Sequence, residues 1–374
     1  MEITIEQLNL LDKNSYIIYD TRSEIEKQHG EIENAVCVLE SELLNTPMPN
    51  KKVIVCCARG QKSLESVKKL RKLGVVAYSL KGGYAAWLLD KIEKEDTAEF
   101  CKAVEKSLQK KFRKSIFSKF TKAIKTYQLL KKGDRVAVCI SGGKDSMLMA
   151  KLFQQLQRFS DFEFSVKYVV MDPGYNAENR KIIEQNAKKL NVPIEIFESN
   201  IFESVYNIEK SPCYLCARMR RGYLYNFAKS LGCNKIALGH HYDDVIETIL
   251  MGMLYGAQVQ TMMPKLHSTN FEGMELIRPL YLVREDDIKA WRDYNNLHFI
   301  QCACKFTDTC TTCDNEENLS KRIEVKNLIA EMKKTNPLVE KHIFKSVENV
   351  NLNTVIAYKK DGVKHSFLDN YDKK

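Results

Sequence analysis

The sequence predicts an α/β protein with two parallel sheets, and three observations indicate this fold class. Short apolar segments of strand length alternate with segments whose apolar residues recur at helical spacing. This alternation occurs once near the N-terminus and again after residue 133, and a lysine-rich segment separates the two regions. Strands that alternate with helices form parallel sheets. We therefore predict two α/β domains at 1–95 and 133–340, a basic linker helix at 96–132 and a C-terminal extension at 341–374.

Length and composition exclude several classes of protein. A chain of 374 residues is too long for one ordinary core. The start "MEITIEQLNL" lacks the basic and apolar regions of a signal peptide, and no apolar run is long enough to span a membrane. We expect a cytoplasmic protein without membrane contact. Because disulfides are rare in that compartment, the twelve cysteines indicate metal or sulfur chemistry.

The first predicted domain contains four apolar strand segments and one clear helix. The strands are "YIIYD" (16–20), "AVCVL" (35–39), "KVIVCC" (52–57) and "VVAYSL" (75–80). The helix "SLESVKKLRKL" (63–73) follows from the spacing of its leucines and valine.

A cysteine follows the third strand of this domain. Cys57 precedes a loop and a helix, with Arg59 and Lys62 nearby. A thiol among the backbone N–H groups of a helix N-terminus is expected to be nucleophilic, and we expect Cys57 on an exposed loop. Burial within a strand suits Cys56 better than Cys57.

The segment 102–132 is predicted to be an amphipathic helix with a basic outer face. Phe112, Ile116, Phe120, Ile124 and Tyr127 recur at helical spacing among many lysines. Two interpretations stay open. The lysines form a solvated face of a connecting helix, or they follow the phosphates of a nucleic acid, where each neutralised phosphate releases counterions.

The second predicted domain also alternates strands with helices. Its strands are "RVAVCI" (135–140), "SVKYVVMD" (165–172), "VPIEIFES" (192–199) and "KIALGH" (235–240). Ligands of such parallel sheets bind beyond the carboxyl ends of the strands.

The first of these strands leads directly into "SGGKDS". Gly142 and Gly143 allow a tight turn whose N–H groups face an anion, and the following helix adds its dipole. Lys144, Asp145 and Ser146 occupy the first helical turn. The pattern G-x-x-x-x-G-K-[ST] is absent, so this is not an ordinary P-loop.

Two cysteine pairs lie further along the chain. Cys213 and Cys216 precede the arginines 218, 220 and 221, while Cys310 and Cys313 form a second pair. A disulfide, a zinc site, a redox switch and an iron–sulfur site all use such pairs, and CxxC…CxxC also describes a structural zinc site. Two interpretations of the three arginines stay open: they bind phosphates, or they form salt bridges.

Several motifs carry a resemblance to a known family. Ser141–Ser146 matches the SGGxDS signature of PP-loop ATP pyrophosphatases. The segments "CYLCARMRRGYLY" (213–225), "ALGHHYDDVIETILMGMLYG" (237–256), "IRPLYLVREDDI" (277–288) and "CTTCDNEENLSKR" (310–322) resemble the tRNA 2-thiocytidine synthetases in the same order. The resemblance implies a PP-loop domain of the adenine nucleotide alpha hydrolase-like fold.

The resemblance also implies ligands and site residues. ATP with Mg²⁺ is expected at Ser141, Gly142, Gly143, Lys144, Asp145, Ser146, Gly239, His240 and Asp244, with Asp145 also catalytic. Cys213, Cys216 and Cys310 are expected to hold a [4Fe–4S] cluster. Cys302 and Cys304 depart from the family pattern, so Cys302, Cys304 or Cys313 are alternative third ligands.

The first domain resembles the rhodaneses. "CARGQKS" (57–63) is similar to the active loop C-x-x-G-x-[RK]-S, and "IIYDTRSE" (17–24) and "LKGGYAAW" (80–87) are similar to the start and end of that domain. "HGEIENAV" (29–36) departs from the usual G-H-I-x-x-A. The resemblance implies a persulfide on Cys57.

Together the two resemblances imply an ATP-dependent tRNA sulfurtransferase. It would adenylate an anticodon-loop cytidine, expected at position 32, and replace its C2 oxygen with sulfur relayed by the rhodanese domain. A cysteine desulfurase or thiosulfate is the expected donor, and a homodimer is one candidate assembly. Two alternatives remain, namely thiolation of a tRNA uridine (to 4-thiouridine or 2-thiouridine) and a non-catalytic nucleotide-binding redox sensor.

Overall fold

The computed structural model describes residues 1–27, 30–93, 97–199, 212–300 and 316–371. The chain divides into two compact units. The larger unit contains Met1–Tyr242 and Pro264–Asn315, and the smaller unit contains Asp243–Met263 and Glu316–Lys374. Both parallel sheets lie in the larger unit.

The N-terminal sheet has five parallel strands in the order β1-β5-β4-β2-β3. The central residues Val53, Ile54 and Val55 are fully buried, as expected for a parallel strand covered on both faces. The two-residue strand β1 lacks the apolar run that revealed the others. The strands are β1 (Glu2–Ile3), β2 (Tyr16–Asp20), β3 (Val36–Cys37), β4 (Lys52–Cys56) and β5 (Ala77–Leu80).

Four helices accompany this sheet. They are α1 (Ile5–Asn9), α2 (Glu24–Lys27), α3 (Gln61–Lys72) and α4 (Gly83–Glu93), together with a 3₁₀ turn at Leu43–Asn45. Helix α3 buries Val67 and Leu70 on the side that the leucine and valine spacing predicted.

The basic segment is helical but not one helix. It forms α5 (Thr97–Gln109), a π turn (Arg113–Phe117) and α6 (Ser118–Thr126). The break begins where Phe112 N donates to Ser107 O, five residues back, at 2.9 Å. The inner face is fully buried, because Val104, Leu108, Ile116 and Phe120 have no exposed surface. The segment is therefore part of the core and not a free connector.

The second sheet has six strands in the order β10-β11-β9-β6-β7-β8, and all pairs except β10–β11 are parallel. It confirms the predicted parallel α/β sheet. The strands are β6 (Arg135–Ile140), β7 (Ser165–Asp172), β8 (Ile194–Glu198), β9 (Lys235–Ala237), β10 (Lys265–His267) and β11 (Glu275–Ile277).

The helices around the second sheet connect it to the first. Helix α8 packs against α4 of the N-terminal region. The helices are α7 (Lys144–Phe159), α8 (Ala177–Lys189), α9 (Pro212–Ser230), α10 (Tyr242–Gly256), most of which belongs to the smaller unit, and α11 (Glu285–Tyr294).

The smaller unit also contains a helix pair and a hairpin. The predicted C-terminal extension includes an antiparallel hairpin flanked by 3₁₀ turns at Leu352–Thr354 and Phe367–Asn370. Throughout the described ranges, no helix has the length and apolar character that crossing a membrane requires. The elements are α12 (Glu316–Thr335), α13 (Val339–Ser346), β12 (Ala357–Lys360) and β13 (Val363–Ser366).

A buried ionic network fixes α5 to the second sheet region. Lys151 of α7 is fully buried, and its Nζ donates to Glu105 Oε1 at 2.8 Å and to Leu190 O at 2.9 Å. Arg158 Nη1 donates to Glu105 Oε2 at 2.7 Å. Burial by itself raises the pKa of Glu105, but the hydrogen bonds from Arg158 and Lys151 outweigh it and lower that pKa to about 2.

Replacing Glu105 with glutamine is expected to lower the free energy of unfolding by about 1–3 kcal/mol at pH 7, because Lys151 stays buried without its anion. A carboxylate with a lowered pKa stabilises the fold above its unfolded value of 4.5 and loses this effect as the pH falls towards 2. The difference between wild type and variant should therefore shrink between pH 4.5 and 2. Urea unfolding across this range measures it.

Glu195→Gln is the matched control, since the Lys167–Glu195 pair is 51% and 37% exposed. Such a surface pair contributes less than about 1 kcal/mol. Equal losses in both variants, or a Glu105 effect that does not change with pH, would contradict the stabilising role of this network.

Candidate functional site

The turn after β6 has the backbone geometry of an anion site. Strand β6 ends at Ile140 and α7 begins at Lys144, so the predicted loop lies at the carboxyl end of a central strand. Gly142 has a φ of +85°, and a Cβ there would lie 2.6 Å from Ile183 Cγ1. Only glycine fits this position. The amides that open α7 have no helical acceptor, which suits a bound phosphate.

Two serine hydroxyls hold the turn in shape. Ser146 Oγ donates to Gly143 O at 3.0 Å and accepts from Ser141 N at 3.1 Å. Ser141 Oγ lies 3.2 Å from Ser146 Oγ. Ser146 is buried whereas Ser141 is exposed. Ser146 therefore stabilises the turn from inside, and Ser141 is the hydroxyl that a ligand meets.

A cavity of about 290 Å³ opens beside this turn. It is lined by Ser141, Asp145, Ser146, Gly239 and His240, among others. Gly239 follows β9. A Cβ at this position would lie 3.3 Å from Ser146 N, so glycine allows the loop after β9 to approach the first turn of α7 closely. The structure thus gathers five of the predicted ATP-site residues around one cavity.

Asp145 presents a carboxylate oxygen that no described group satisfies. Its Oδ1 is buried without a hydrogen-bond partner, while Oδ2 accepts from Lys144 Nζ at 3.2 Å. A buried oxygen of this kind is costly unless a ligand or ion completes it. Mg²⁺ in nucleotide sites uses one or two carboxylates with the phosphates, so Asp145 fits that role.

Lys144 was predicted to contact ATP, but its side chain points into the protein. It is 4% exposed, and its Nζ lies 3.2 Å from Asp145 Oδ2 and 3.4 Å from Glu285 Oε1. Glu285 is the first residue of α11. Lys144 thus joins the first turns of α7 and α11, and its predicted contact with ATP stays a prediction.

Asp244 belongs to the smaller unit. There Arg322 Nη1 lies 3.7 Å from Asp244 Oδ1, and Arg322 Nε lies 3.2 Å from Glu247 Oε2. Its predicted contact with ATP stays a prediction.

The first cysteine pair lies in the first turn of α9. Cys213 and Cys216 are three residues apart in a helix, a spacing that places both on one face. Arg220, one turn further, lines the cavity beside the glycine turn. Cys302, Cys304, Cys310 and Cys313 lie outside the described residues.

Cys57 lies in a cradle of donors at the end of β4. Its Sγ accepts from Gly60 N at 3.1 Å and from Ser63 N at 3.3 Å. Ser63 Oγ lies 3.3 Å from the same sulfur and 2.8 Å from Ser79 Oγ. N–H groups that converge on a sulfur stabilise an anionic thiolate or persulfide. The expectation of an exposed position was wrong, because Cys57 is only 6% exposed.

Neighbouring residues fix this cradle. Burial raises the pKa of the Cys56 thiol well above its usual value, in agreement with its prediction as a structural strand cysteine. Gly83 has a φ of +58°, and a Cβ there would lie 2.3 Å from Cys57 O and 2.7 Å from Arg59 N. The start of α4 therefore packs directly on the Cys57 loop.

A small cavity of about 60 Å³ lies between the Cys57 loop and residues of the PP-loop region. Ala58 and Arg59 of the Cys57 loop line it from one side, and Asn179 and Ile300 line it from the other. Ile300 also lies against the glycine turn, since a Cβ on Gly142 would meet its Cδ1 at 3.1 Å. Ile300 thus lies against the glycine turn and also lines the cavity that the Cys57 loop borders.

Sequence reasoning missed Glu285 and Ile300 as parts of the site. Glu285 lies within the quoted "REDDI" segment, and an acidic first turn of a helix was a usable signal there. Ile300 is an ordinary apolar residue, and nothing in the sequence marks it.

Comparisons with known proteins identify both regions. The family model of the PP-loop domain matches residues 108–307, and the model of the rhodanese-like domain matches residues 5–90. These matches confirm the two resemblances and the predicted fold class.

Curated relatives extend the comparison. The tRNA-cytidine(32) 2-sulfurtransferase of Vibrio parahaemolyticus is 34% identical over 69% of this chain and 81% of its own length. The protein of the same name from Polaromonas naphthalenivorans is 30% identical over 76% of this chain and 86% of its own.

Two solved structures are similar in part. The U34-tRNA thiolase NcsA from Methanococcus maripaludis, solved with its [4Fe–4S] cluster, has a TM-score of 0.49 at 22% identity, covering 62% of this chain and 76% of its own. A rhodanese-related protein from Thermoplasma volcanium has a TM-score of 0.23 at 28% identity, covering 24% of this chain and 91% of its own. The relatives and the matched PP-loop model show that the chain belongs to the tRNA-cytidine(32) 2-sulfurtransferase family and carries an N-terminal rhodanese-like domain.

Proposed function

We propose that this protein is an ATP-dependent tRNA sulfurtransferase that converts cytidine 32 to 2-thiocytidine. Its rhodanese-like domain relays the sulfur. The observation that carries the proposal is the presence, within one compact unit, of the N–H cradle around the Cys57 sulfur and of the glycine turn at the end of β6. Family membership supplies the substrate, since the curated relatives are named for this nucleoside.

The cavity beside the glycine turn is the proposed ATP site. The amides at the start of α7 and Arg220 would bind the phosphates, because both supply positive electrostatic potential at one edge of the sheet. Asp145 Oδ1 would hold Mg²⁺, which neutralises the phosphate charge. Ser141, with an exposed hydroxyl, adds a donor.

The proposed reaction has two stages. The C2 oxygen of the cytidine attacks the α-phosphorus of ATP, a new P–O bond forms, and pyrophosphate leaves. A sulfur nucleophile then attacks C2, and the oxygen leaves as part of AMP. Arg220 and the α7 amides act on the first stage by stabilising negative charge as it moves to pyrophosphate.

Cys57 is proposed to carry the sulfur as a persulfide. The N–H groups of Gly60 and Ser63 would stabilise the terminal sulfur anion in place of the thiolate. Because that sulfur is at the oxidation level of sulfane, a thiol reductant must add two electrons before sulfide enters the second stage. A cysteine desulfurase or thiosulfate is the proposed source.

Cys213, Cys216 and Cys310 are the proposed holders of a [4Fe–4S] cluster. Cys213 and Cys216 are three residues apart in α9, and thiolates are the usual ligands of such clusters. Arg220, one turn along the same helix from Cys216, lines the proposed ATP cavity, which supports a cluster close to that cavity. When bound, the cluster would supply a metal position for the incoming sulfur.

Asp145→Asn is expected to lower tRNA thiolation by about 10²-fold or more, because the amide removes the charge that would hold Mg²⁺. Nucleoside mass spectrometry of tRNA from a deletion strain carrying each variant measures this loss. Wild type should restore 2-thiocytidine, as should the control Asp161→Asn, whose side chain is exposed beyond the end of α7. Restored 4-thiouridine or 2-thiouridine would favour the uridine alternative, and no thiolated nucleoside at all would favour the redox sensor.

Cys57→Ser is expected to lose thiosulfate sulfurtransferase activity while retaining tRNA thiolation with supplied sulfide. Serine keeps the size of the side chain but removes the sulfur that carries the persulfide. Cys37→Ser, at an exposed free thiol, is the control and should retain both activities. If Cys57→Ser stays inactive with sulfide, the persulfide acts in the transfer step itself and the relay role is wrong.

Anaerobically purified protein is expected to contain iron and sulfide with little zinc. Alanine at Cys213, Cys216 or Cys310 should remove the iron and its absorbance, whereas Cys57→Ser should leave both unchanged. Metal analysis and visible spectroscopy measure the outcome. Stoichiometric zinc in a colourless, active protein would instead favour the four-cysteine zinc site.

A further inference from the structure

Eight basic side chains are exposed along the outer face of the segment that contains α5, the π turn and α6. None of the eight has an acidic partner among the residues that the structure describes, whereas Lys119 between them pairs with Asp287 at 3.2 Å. We call these eight the basic strip: Lys102, Lys106, Lys110, Lys111, Arg113, Lys114, Lys122 and Lys125.

The basic strip stands on a rigid base. The opposite face of the same helices is fully buried at Val104, Leu108 and Phe120. The hydrogen bonds of Glu105 with Lys151 and Arg158 fix α5 to α7. The positive charges are therefore held in a fixed arrangement relative to the glycine turn at the start of α7.

This arrangement is unfavourable for the isolated protein. Lys102, Lys106 and Lys110 follow one another at four-residue spacing, which places like charges next to each other on a helix and destabilises it. A partner with a row of negative charges removes this repulsion. Four helical residues advance about 6 Å, a spacing comparable to that of successive phosphates along a nucleic-acid strand.

A groove beside the strip adds an aromatic surface. Lys106, Lys110 and Lys111 line a groove of about 500 Å³ together with Tyr294. Lys111 Nζ lies 3.7 Å from the centre of the Tyr294 ring, so an aromatic face and not a carboxylate holds this cation. Tyr294 is 56% exposed and offers its ring to a sugar or base.

The α6 end of the strip reaches the chain segment that borders the nucleotide site. Tyr127 packs edge-on against Tyr281, with ring centres 5.2 Å apart. Shortly after Tyr281, Val283 O accepts from Tyr242 N at 2.9 Å and Glu285 pairs with Lys144. A polyanion along the strip is thereby led towards the wall of the proposed ATP site.

We propose that the basic strip binds the phosphate backbone of the tRNA substrate and guides it to the glycine turn. This inference rests on the proposed function and assigns the RNA-binding surface. The phosphates replace the missing acidic partners of the eight side chains, and the release of counterions drives binding.

The test compares two full-length variants that each lose four positive charges. The strip variant is K102Q/K106Q/K110Q/K114Q. The control K51Q/K68Q/K69Q/K72Q removes four exposed lysines from the N-terminal region. Affinity for unmodified tRNA is measured by fluorescence anisotropy from 50 mM to 1 M salt. Thiosulfate sulfurtransferase activity and thermal unfolding confirm that each variant is folded.

The strip variant is expected to bind tRNA at least tenfold more weakly at 50 mM salt. Its slope of log K against log salt should be shallower by about 3, since four lost contacts each contribute about 0.7–0.9. The affinities of wild type and strip variant should converge near 1 M salt, where electrostatic attraction is screened. The control should keep the wild-type slope.

Other outcomes overturn the inference in distinguishable ways. If both variants show the same slope of log K against log salt while the wild type still binds tRNA, the strip is not the RNA-binding surface. The proposed function is then unaffected. If the strip variant binds tRNA with normal affinity but no longer responds to a protein sulfur donor, the strip binds an acidic protein and not the RNA. Failure of wild type to bind tRNA at any salt concentration rejects the proposed function as well.

Discussion

The contact between Ile300 and Gly142 is the constraint on which the candidate site depends. The side chains of Ile300 and Ile183 occupy the space where a Cβ of Gly142 would lie, so the turn keeps its left-handed backbone only with glycine at this position. The same isoleucine lines the cavity that Ala58 and Arg59 close from the side of the Cys57 loop. One apolar side chain thus lies against the phosphate turn and also borders the cavity next to the sulfur-binding loop.

The sheets and the two loops were predictable from the sequence because local signals dictate them. After an exposed first residue, strands β4 ("KVIVC") and β6 ("RVAVCI") are buried on both faces and therefore consist of apolar residues without interruption. The paired glycines after β6 and the cysteine after β4 both follow a strand end and precede a helix, a position at which parallel sheets bind ligands. Neither inference required knowledge of distant residues.

The predictions that the structure contradicts concern positions that depend on residues elsewhere in the chain. Cys57 was expected to be exposed, but Ser63, Ser79 and the start of α4 cover it. The continuous helix of the basic segment is broken near Phe112, because that ring enters the core and pairs edge-on with Tyr294. Tertiary packing determines each of these positions, and the spacing of residues along the sequence does not reveal that packing.

The positively charged side chains discussed above fall into two groups, buried and exposed. Lys144 and Lys151 are buried, and each is neutralised by a carboxylate: Glu285 for Lys144 and Glu105 for Lys151. These ion pairs join α7 to α11 through Lys144 and α7 to α5 through Lys151. Arg220 at the cavity and the lysines of α5 lie where a ligand reaches them. The exposed lysines of α5 thus face solvent, while the two buried lysines are paired inside the protein. A substrate that is itself a polyanion is attracted by the exposed group, and the buried group keeps the surface that attracts it rigid.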